Sequence, residues 1–362
     1  MVRVNREAVP PCFALVHPGL EAIACDEIVR DLGGEIKKQD RGLVVFRVPK
    51  LDTSLLELRT TEDVYLLAWG TDDLTFRAID LKNITKWTSR TPDWPNLLRF
   101  HHQIHAKPHG KPTYRLITQM EGKPCYRRID AGKALAEGLE GVFPASWKLA
   151  EENASVEVWL KIRKKMAICG IRLSDRTMRH RKYKHDHLPA SLRPSIAAAM
   201  ARLAGISPGN IVLDPMCGSG TILAEVIELN KQRKSGRVYT WGGDSDLSCL
   251  RASQNNLRQV GPTLLAQWDA TQLPIPTQSI DRIICNLPFG KQVSSPELIP
   301  SLYHKCIQEW NRILHPGGRA VLLVSETETL RQACRKVNWQ PLRELTVEIL
   351  GQKATITCWN KP

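Results

Sequence analysis

No stretch of the 362-residue chain approaches the roughly 18 consecutive apolar residues that a membrane-spanning helix needs. The opening MVRVNREAVPPCF also lacks the apolar core of a secretory leader, so a cytoplasmic location without a membrane partner is expected. The ten cysteines stand singly, at 12, 25, 125, 169, 217, 249, 285, 306, 334 and 358, and no CxxC pair exists. That spacing excludes a dithiol redox centre and a zinc knuckle, and leaves the thiols as small buried hydrophobes in a reducing compartment. The phosphate-loop pattern GxxxxGK[ST] is absent, and GxGxxG is incomplete because Leu223 stands where its third glycine belongs. Acidic residues are in deficit, with 37 Asp and Glu against 51 Lys and Arg, a net charge of +14. The basic residues are interspersed with apolar periodic segments, so they decorate folded surfaces and suggest a polyanionic partner. A hydrophobic share of 42% with 24% charged residues excludes fibrous, collagenous and disordered chains and suits two or three domains.

Two small α+β units are expected first. Leu20, Ile23, Ala24, Ile28 and Leu32 form one helical stripe ended by Gly33 and Gly34, Leu43 to Val48 reads as a strand, and Leu55 to Leu67 reads as a second helix. Residues 83 to 113, with Trp87, Pro92, Trp94, Pro95, Pro108, Gly110 and Pro112, predict an irregular excursion or a very short helix. Tyr114 to Gln119 reads as a strand and Asp130 as the cap of a helix through Leu139. Val156 to Ile162 pairs with Met166 to Leu173 across Arg163, Lys164 and Lys165. Arg176 to His187 carries five Arg or Lys and three His, a composition with nothing to make a core. A domain boundary is expected near 188. Beyond it strands at Ile211 to Leu213, Tyr239 to Gly242, Ile280 to Cys285 and Ala320 to Val324 alternate with helices, which predicts a mostly parallel sheet covered on both faces.

Chemistry concentrates where those strands end. Asp214-Pro215-Met216-Cys217-Gly218-Ser219-Gly220-Thr221 runs from a strand through a glycine turn into a helix, a geometry that offers free N–H groups to an anion. The second strand ends at Asp244, where a carboxylate accepts hydrogen bonds from a ribose diol. Asp269, beside Ala270, follows the third strand and suits an adenine amino group; Asp246 and Asp269 read equally well as helix caps. Asn286-Leu287-Pro288-Phe289-Gly290-Lys291 leaves the fourth strand. An exocyclic amine is a poor nucleophile while its lone pair is delocalised, so a site that alkylates it holds the N–H groups with acceptors. The Asn286 oxygen and the Leu287 carbonyl are expected in that role, Pro288 stiffens the turn, and Phe289 offers a stacking face.

On these residues, Asp214-Pro-Met-Cys-Gly-Ser-Gly-Thr with Asn286-Leu-Pro-Phe-Gly, the chain resembles the Rossmann-fold S-adenosylmethionine-dependent amino-methyltransferases. Pro18-Gly-Leu-Glu, the unit at 114 to 140, the hairpin ending Gly170-Ile-Arg-Leu-Ser and the join Leu188-Pro-Ala-Ser-Leu-Arg-Pro-Ser are similar to THUMP-domain tRNA guanine-N2 methyltransferases. The resemblance implies an α/β fold: a class I methyltransferase domain at 191–362, behind a ferredoxin-like module at 1–60, a THUMP RNA-binding module at 61–175 and a basic linker at 176–190. It implies S-adenosyl-L-methionine held by Asp214, Gly218, Ser219, Gly220, Thr221, Asp244, Asp269, Ala270 and Asn286, and catalysis by Asn286, Pro288 and Phe289. It implies tRNA as partner, contacted by Arg115, Arg127, Arg128, Arg179, Arg181, Lys182 and Lys184, with guanosine 6 of the acceptor stem as target. The cluster His101, His102 and His105 has no cysteine or acid at ligand spacing, so no metal is expected and a solvated or RNA-facing surface is. A monomer is expected, and a small activator subunit stays open. The competing readings are methylation of another RNA, DNA adenine or a protein amide, a non-catalytic RNA-binding protein of the same fold, and a nicotinamide oxidoreductase.

Overall fold

A computed structural model describes residues 9–107, 110–188, 191–234, 236–289, 298–349 and 351–362. The chain divides into two units, Met1–Leu15 with Cys25–Met178, and Val16–Ala24 with Arg179–Pro362.

The first unit is built on one eight-stranded sheet in the order β2-β3-β1-β4-β8-β7-β5-β6. Its strands are β1 (Cys12–Val16), β2 (Glu35–Asp40), β3 (Leu43–Arg47), β4 (Thr61–Thr71), β5 (Thr113–Glu121), β6 (Lys148–Leu149), β7 (Val156–Arg163) and β8 (Met166–Arg172). Its helices are α1 (Glu21–Leu32), α2 (Ile79–Arg90), α3 (Trp94–Ile104) and α4 (Arg128–Leu139). Alternation does what the pattern dictates in β7, where Val156, Val158, Leu160 and Ile162 are buried, and β7 pairs antiparallel with β8 as expected.

Four expectations are corrected here. Leu55 to Leu67 is no helix: Asp52 caps a 3-10 turn at Thr53–Glu57, and β4 follows as an interior strand. The apolar stretch Val64 to Leu67 fits a buried strand as well as a helix, and the antiparallel pairing with β8 decides it. Residues 83 to 113 are no excursion either, since α2 and α3 occupy most of them. The prolines punctuate rather than disrupt, because Pro95 sits in the first turn of α3 behind the cap Asp93, where a missing N–H costs nothing. Asp130 lies in the first turn of α4, inside a capping box with Arg127, rather than at the cap itself. The surface expected of the histidine cluster does not hold for His101, which is buried and held neutral, its pKa pushed down to about 3 by desolvation and by its two histidine neighbours, while His102 is half-buried. Among the described residues no group of side chains is arranged to hold a metal. Nor is any helix long and apolar enough to cross a membrane.

The second unit carries a seven-stranded sheet in the order β11-β10-β9-β12-β13-β15-β14. It comprises α5 (Arg176–His180, entering from the first unit), α6 (Pro194–Leu203), β9 (Ile211–Asp214), α7 (Thr221–Arg233), β10 (Tyr239–Asp244), α8 (Leu247–Leu257), β11 (Leu264–Gln267), β12 (Ile280–Asn286), α9 (Ile299–Ile313), β13 (Leu314–Val324), α10 (Thr327–Lys336), β14 (Gln340–Ile349) and β15 (Gln352–Asn360). The strands β11, β10, β9, β12 and β13 are parallel, and β15 enters antiparallel between β13 and β14. This is the doubly wound Rossmann-like arrangement, and its strand order reverses between β9 and β12, where such sheets bind ligands at their carboxyl ends. Its core packs Ile283, Cys285, Leu322 and Val324 of the sheet against Tyr303, Cys306, Ile307 and Trp310 of α9. None of the ten cysteines, all of them among the described residues, is in a disulfide, and seven are buried.

Candidate active site at the switch point

The glycine turn after β9 is shaped by its backbone. Gly218 and Gly220 have φ of +51° and +74°, a region that residues with a Cβ rarely adopt. A Cβ on Gly220 would come within 3.0 Å of Leu257 and Ser253, whereas one on Gly218 would meet nothing within 4 Å among the described atoms. The turn thus closes against α8 on one side and stays open on the other. Ser253 Oγ donates to the Gly218 carbonyl at 2.7 Å, and Cys217 N donates to the Gly243 carbonyl at 2.9 Å. Ser219 and Thr221 are buried, their hydroxyls 3.4 Å apart.

Two carboxylates flank this turn in different environments. Asp244, partly exposed at the end of β10, accepts from Gly218 N at 3.0 Å and from Asp246 N at 3.1 Å, which fixes its orientation over the turn. Asp214 is 1% exposed, and desolvation pushes its pKa up to about 8, with the nearby Asp244 charge adding to the rise and the Met216 N–H opposing it. Asp246 is the N-cap of α8. Asp269 caps no helix: it is exposed, and its Oδ1 accepts from Thr271 N and Oγ1, each at 2.8 Å. Ala270 is buried, its carbonyl taken by Trp310 Nε1 at 3.1 Å.

At the end of β12 the side-chain Oδ1 of Asn286 is buried and has no hydrogen-bond partner among the described residues. An unpartnered buried acceptor is costly, of the order of 1–3 kcal/mol, and such groups concentrate where a ligand supplies the missing donor. The turn behind it is rigid. Leu287 N donates to the Leu323 carbonyl at 3.0 Å, and the Tyr303 hydroxyl donates to the Pro288 carbonyl at 3.0 Å. Tyr303, which no sequence motif marks, is fully buried on α9 and so ties the turn to the core. Phe289 is half-buried; Gly290 and Lys291 lie outside the described residues.

The basic residues separate into two kinds. In the first unit Arg127 and Arg128 are exposed, Arg127 paired with Asp130 at 3.2 Å, and Arg115 is half-buried. In the second unit Arg179 and Lys182 are exposed. Arg181 and Lys184 are not surface cations. Arg181 is ion-paired with the fully buried Glu225 at 3.1 Å, and Tyr183 Oη donates to the same carboxylate at 2.7 Å. Lys184 is buried with its Nζ on the Leu192 carbonyl at 2.7 Å, and desolvation pushes its pKa down to about 8. Tyr183 packs with Cys217, Leu223, Ala224, Leu257 and Val260, so this tract does contribute to a core. Composition hid that because Glu225 stands 44 residues away in the sequence. Pro189 and Ala190 of the join lie outside the described residues.

Residues 181–354 match the family model described as the RMKL-like methyltransferase domain, UPF0020. A human U6 snRNA (guanine-N(2))-methyltransferase, THUMPD2, is 36% identical over 232 residues, 62% of this chain and 43% of that one. A tRNA (guanine(6)-N2)-methyltransferase of Thermus thermophilus is 27% identical over 324 residues, 88% of this chain and 90% of the relative. The crystal structure of TrmN from Thermus thermophilus superimposes with a TM-score of 0.79 at 25% identity, covering 97% of this chain and 99% of that one. The chain spans about half the length of the mammalian relatives it matches.

Proposed function

We propose, from the match of residues 181–354 to the RMKL-like methyltransferase domain, that the chain transfers a methyl group from S-adenosyl-L-methionine to the exocyclic N2 of a guanosine in tRNA, at position 6 of the acceptor stem. The observation that carries this reading is the buried, unpartnered Oδ1 of Asn286, an acceptor set at the carboxyl end of β12 beside an open glycine turn. The residues fit the cofactor: the open face at Gly218 suits a methionine chain, the Asp244 carboxylate suits a ribose diol, and Asp269, exposed after β11, offers an acceptor for an adenine amino group with Ala270 beside it in sequence. When bound, S-adenosylmethionine supplies an electrophilic methyl on a sulfonium.

The protein's own groups do the rest. Asn286 Oδ1 takes one N–H of the guanine 2-amino group. The second N–H goes to the Leu287 carbonyl, a reading supported by the Pro288 carbonyl's already accepting from Tyr303. Holding both N–H groups draws the nitrogen toward a tetrahedral geometry, so that its lone pair is less delocalised into the ring and is directed at the methyl, and Phe289 stacks on the base to fix its distance. The proton leaves after transfer, so no dedicated general base is needed. The choice of tRNA rests on the Thermus thermophilus relative, which this chain matches along nearly the whole of both sequences, whereas the U6 snRNA relative is matched over less than half its own length.

A tRNA carrying inosine in place of guanosine 6 lacks only the 2-amino group. It is expected to bind competitively and accept no methyl. Transfer to the inosine tRNA at the wild-type rate places the acceptor elsewhere.

We further propose that Arg115, Arg127 and Arg128 of the first unit and Arg179 and Lys182 of the second contact the RNA backbone, Arg181 and Lys184 being withdrawn from that set by burial. Changing Arg179 and Lys182 together to alanine is expected to weaken tRNA binding and to reduce the slope of log K against log salt by about 2. Arg181→Ala instead lowers the melting temperature, since it removes an ion pair from the buried Glu225. A titration series between low and moderate salt checks the first and thermal unfolding the second, and an unchanged slope in the double variant removes these residues from the interface.

A further inference from the structure

Asn256 sits on α8, is 1% exposed, and spends its whole side chain on backbone. Its Nδ2 donates to the Ser219 carbonyl of the glycine turn at 2.9 Å and to the Asp186 carbonyl at 3.1 Å. Its Oδ1 accepts from His185 N and Asp186 N, both at 2.9 Å. One helical turn earlier Ser253 holds the Gly218 carbonyl at 2.7 Å, and among the described residues its hydroxyl bonds the turn, not residues 183–188. Ser191 Oγ lies 2.9 Å from Ser219 Oγ, and Asn255 Nδ2 donates to Asp186 Oδ2 at 2.8 Å. The segment from Tyr183 to Asp186 is therefore not a tether lying on the surface. It is a strap whose backbone is bonded, through one amide side chain, to the loop that receives the cofactor.

We propose that Asn256 is a positioning residue that couples this strap to the glycine turn, so that cofactor affinity depends on how the strap is seated and cofactor binding in turn orders the strap. The proposal rests on the reading of the turn as the cofactor loop. The reasoning is chemical economy. A planar amide offers two donors and an acceptor with two lone pairs, and here all four positions are taken by main-chain groups of only these two segments. Any movement of the strap by the width of a hydrogen bond breaks bonds that also fix the Ser219 carbonyl, and with it the N–H groups that open α7. Arg179 and Lys182, exposed at the start of the same tract, give a polyanion a place to pull on it. Coupling of this kind is reciprocal.

The test compares wild type, Asn256→Asp and Ser253→Ala, with S-adenosylhomocysteine as the probe. Aspartate keeps the size and accepts from His185 and Asp186, but it cannot donate to Ser219 or Asp186. Calorimetry is expected to show S-adenosylhomocysteine binding weakened about tenfold in Asn256→Asp. Hydrogen exchange is expected to slow across 183–188 on adding S-adenosylhomocysteine to the wild type. That protection persists in Ser253→Ala, which disturbs the turn alone, and is lost in Asn256→Asp. A merely structural role would lower the melting temperature of Asn256→Asp and leave the affinity of the folded protein and the ligand-dependent protection intact, which overturns the proposal. Should Asn256→Asp not fold, Asn256→Ser, which lacks the amide that bridges the two segments, probes the same coupling, with reduced protection supporting it and undiminished protection overturning it. A wild type that binds no S-adenosylhomocysteine overturns the cofactor reading itself and this inference with it.

Discussion

Asn286→Ala is expected to lower kcat for methyl transfer about a hundred- to a thousandfold while leaving the fold as stable as the wild type or slightly more so. The two halves of that expectation come from the same atom. Oδ1 of Asn286 is buried without a partner among the described residues, so truncation removes an unsatisfied acceptor and breaks no bond of the fold that involves it. In the substrate complex the same atom holds an amine N–H that must be aligned for transfer, and its loss is felt only there. Single-turnover rates with saturating cofactor, beside thermal unfolding of the free protein, separate the two effects. A variant that loses activity and melting temperature together would mark Asn286 as a structural residue of the β12 turn.

Asp214→Asn is the second substitution with a large effect, and it acts through pH. The folded protein keeps the Asp214 proton up to about pH 8, whereas an unfolded chain releases it near the ordinary aspartate value of about 4. Between those values the folded state binds more protons than the unfolded one, so this group makes stability fall as pH rises from about 4 to about 8. Asparagine fills the same space, still accepts from Met216 N and never ionises, so the variant should melt higher at neutral pH and lose that part of the decline. Cofactor binding should move the other way. A ligand bearing an ammonium and a sulfonium favours the ionised carboxylate in so dry a site. Wild-type affinity is therefore expected to rise toward pH 8, by up to about tenfold per pH unit, with release of a proton on binding. Calorimetry in two buffers of different ionisation enthalpy counts that proton. The count should fall to near zero in Asp214→Asn, which should also bind more weakly at pH 8. An equal count in both proteins assigns the proton to another group.

How much of this was readable from the chain depends on how local the constraint is. The turn after β9 and the turn after β12 were legible because backbone geometry demands glycine, proline and asparagine at particular positions, and those residues announce themselves. The parallel strands β9, β10, β12 and β13 were legible for the same reason, as short apolar runs bounded by such turns. The C-terminal hairpin went unpredicted: most of β14 faces solvent, so its residues carry no alternation, and its place beside β15 is decided by backbone pairing. The misreading of Leu55 to Leu67 arose from the opposite case, a run buried on both faces. Buried charge was the least visible feature. Arg181 reads as a surface cation until Glu225, far along the chain, is brought against it, and Tyr303 and Asn256 act through contacts 15 and 37 or more residues away.

The central claim is that the Asn286 turn presents a guanine 2-amino group to the cofactor's methyl. Incubation of the protein with unmodified tRNA and S-adenosylmethionine, digestion to nucleosides and mass spectrometry tests it most directly, with Asn286→Ala alongside. The expected result is N2-methylguanosine mapping to position 6 and missing from the variant. Methylated adenosine, or N2-methylguanosine formed equally well by the variant, would contradict it.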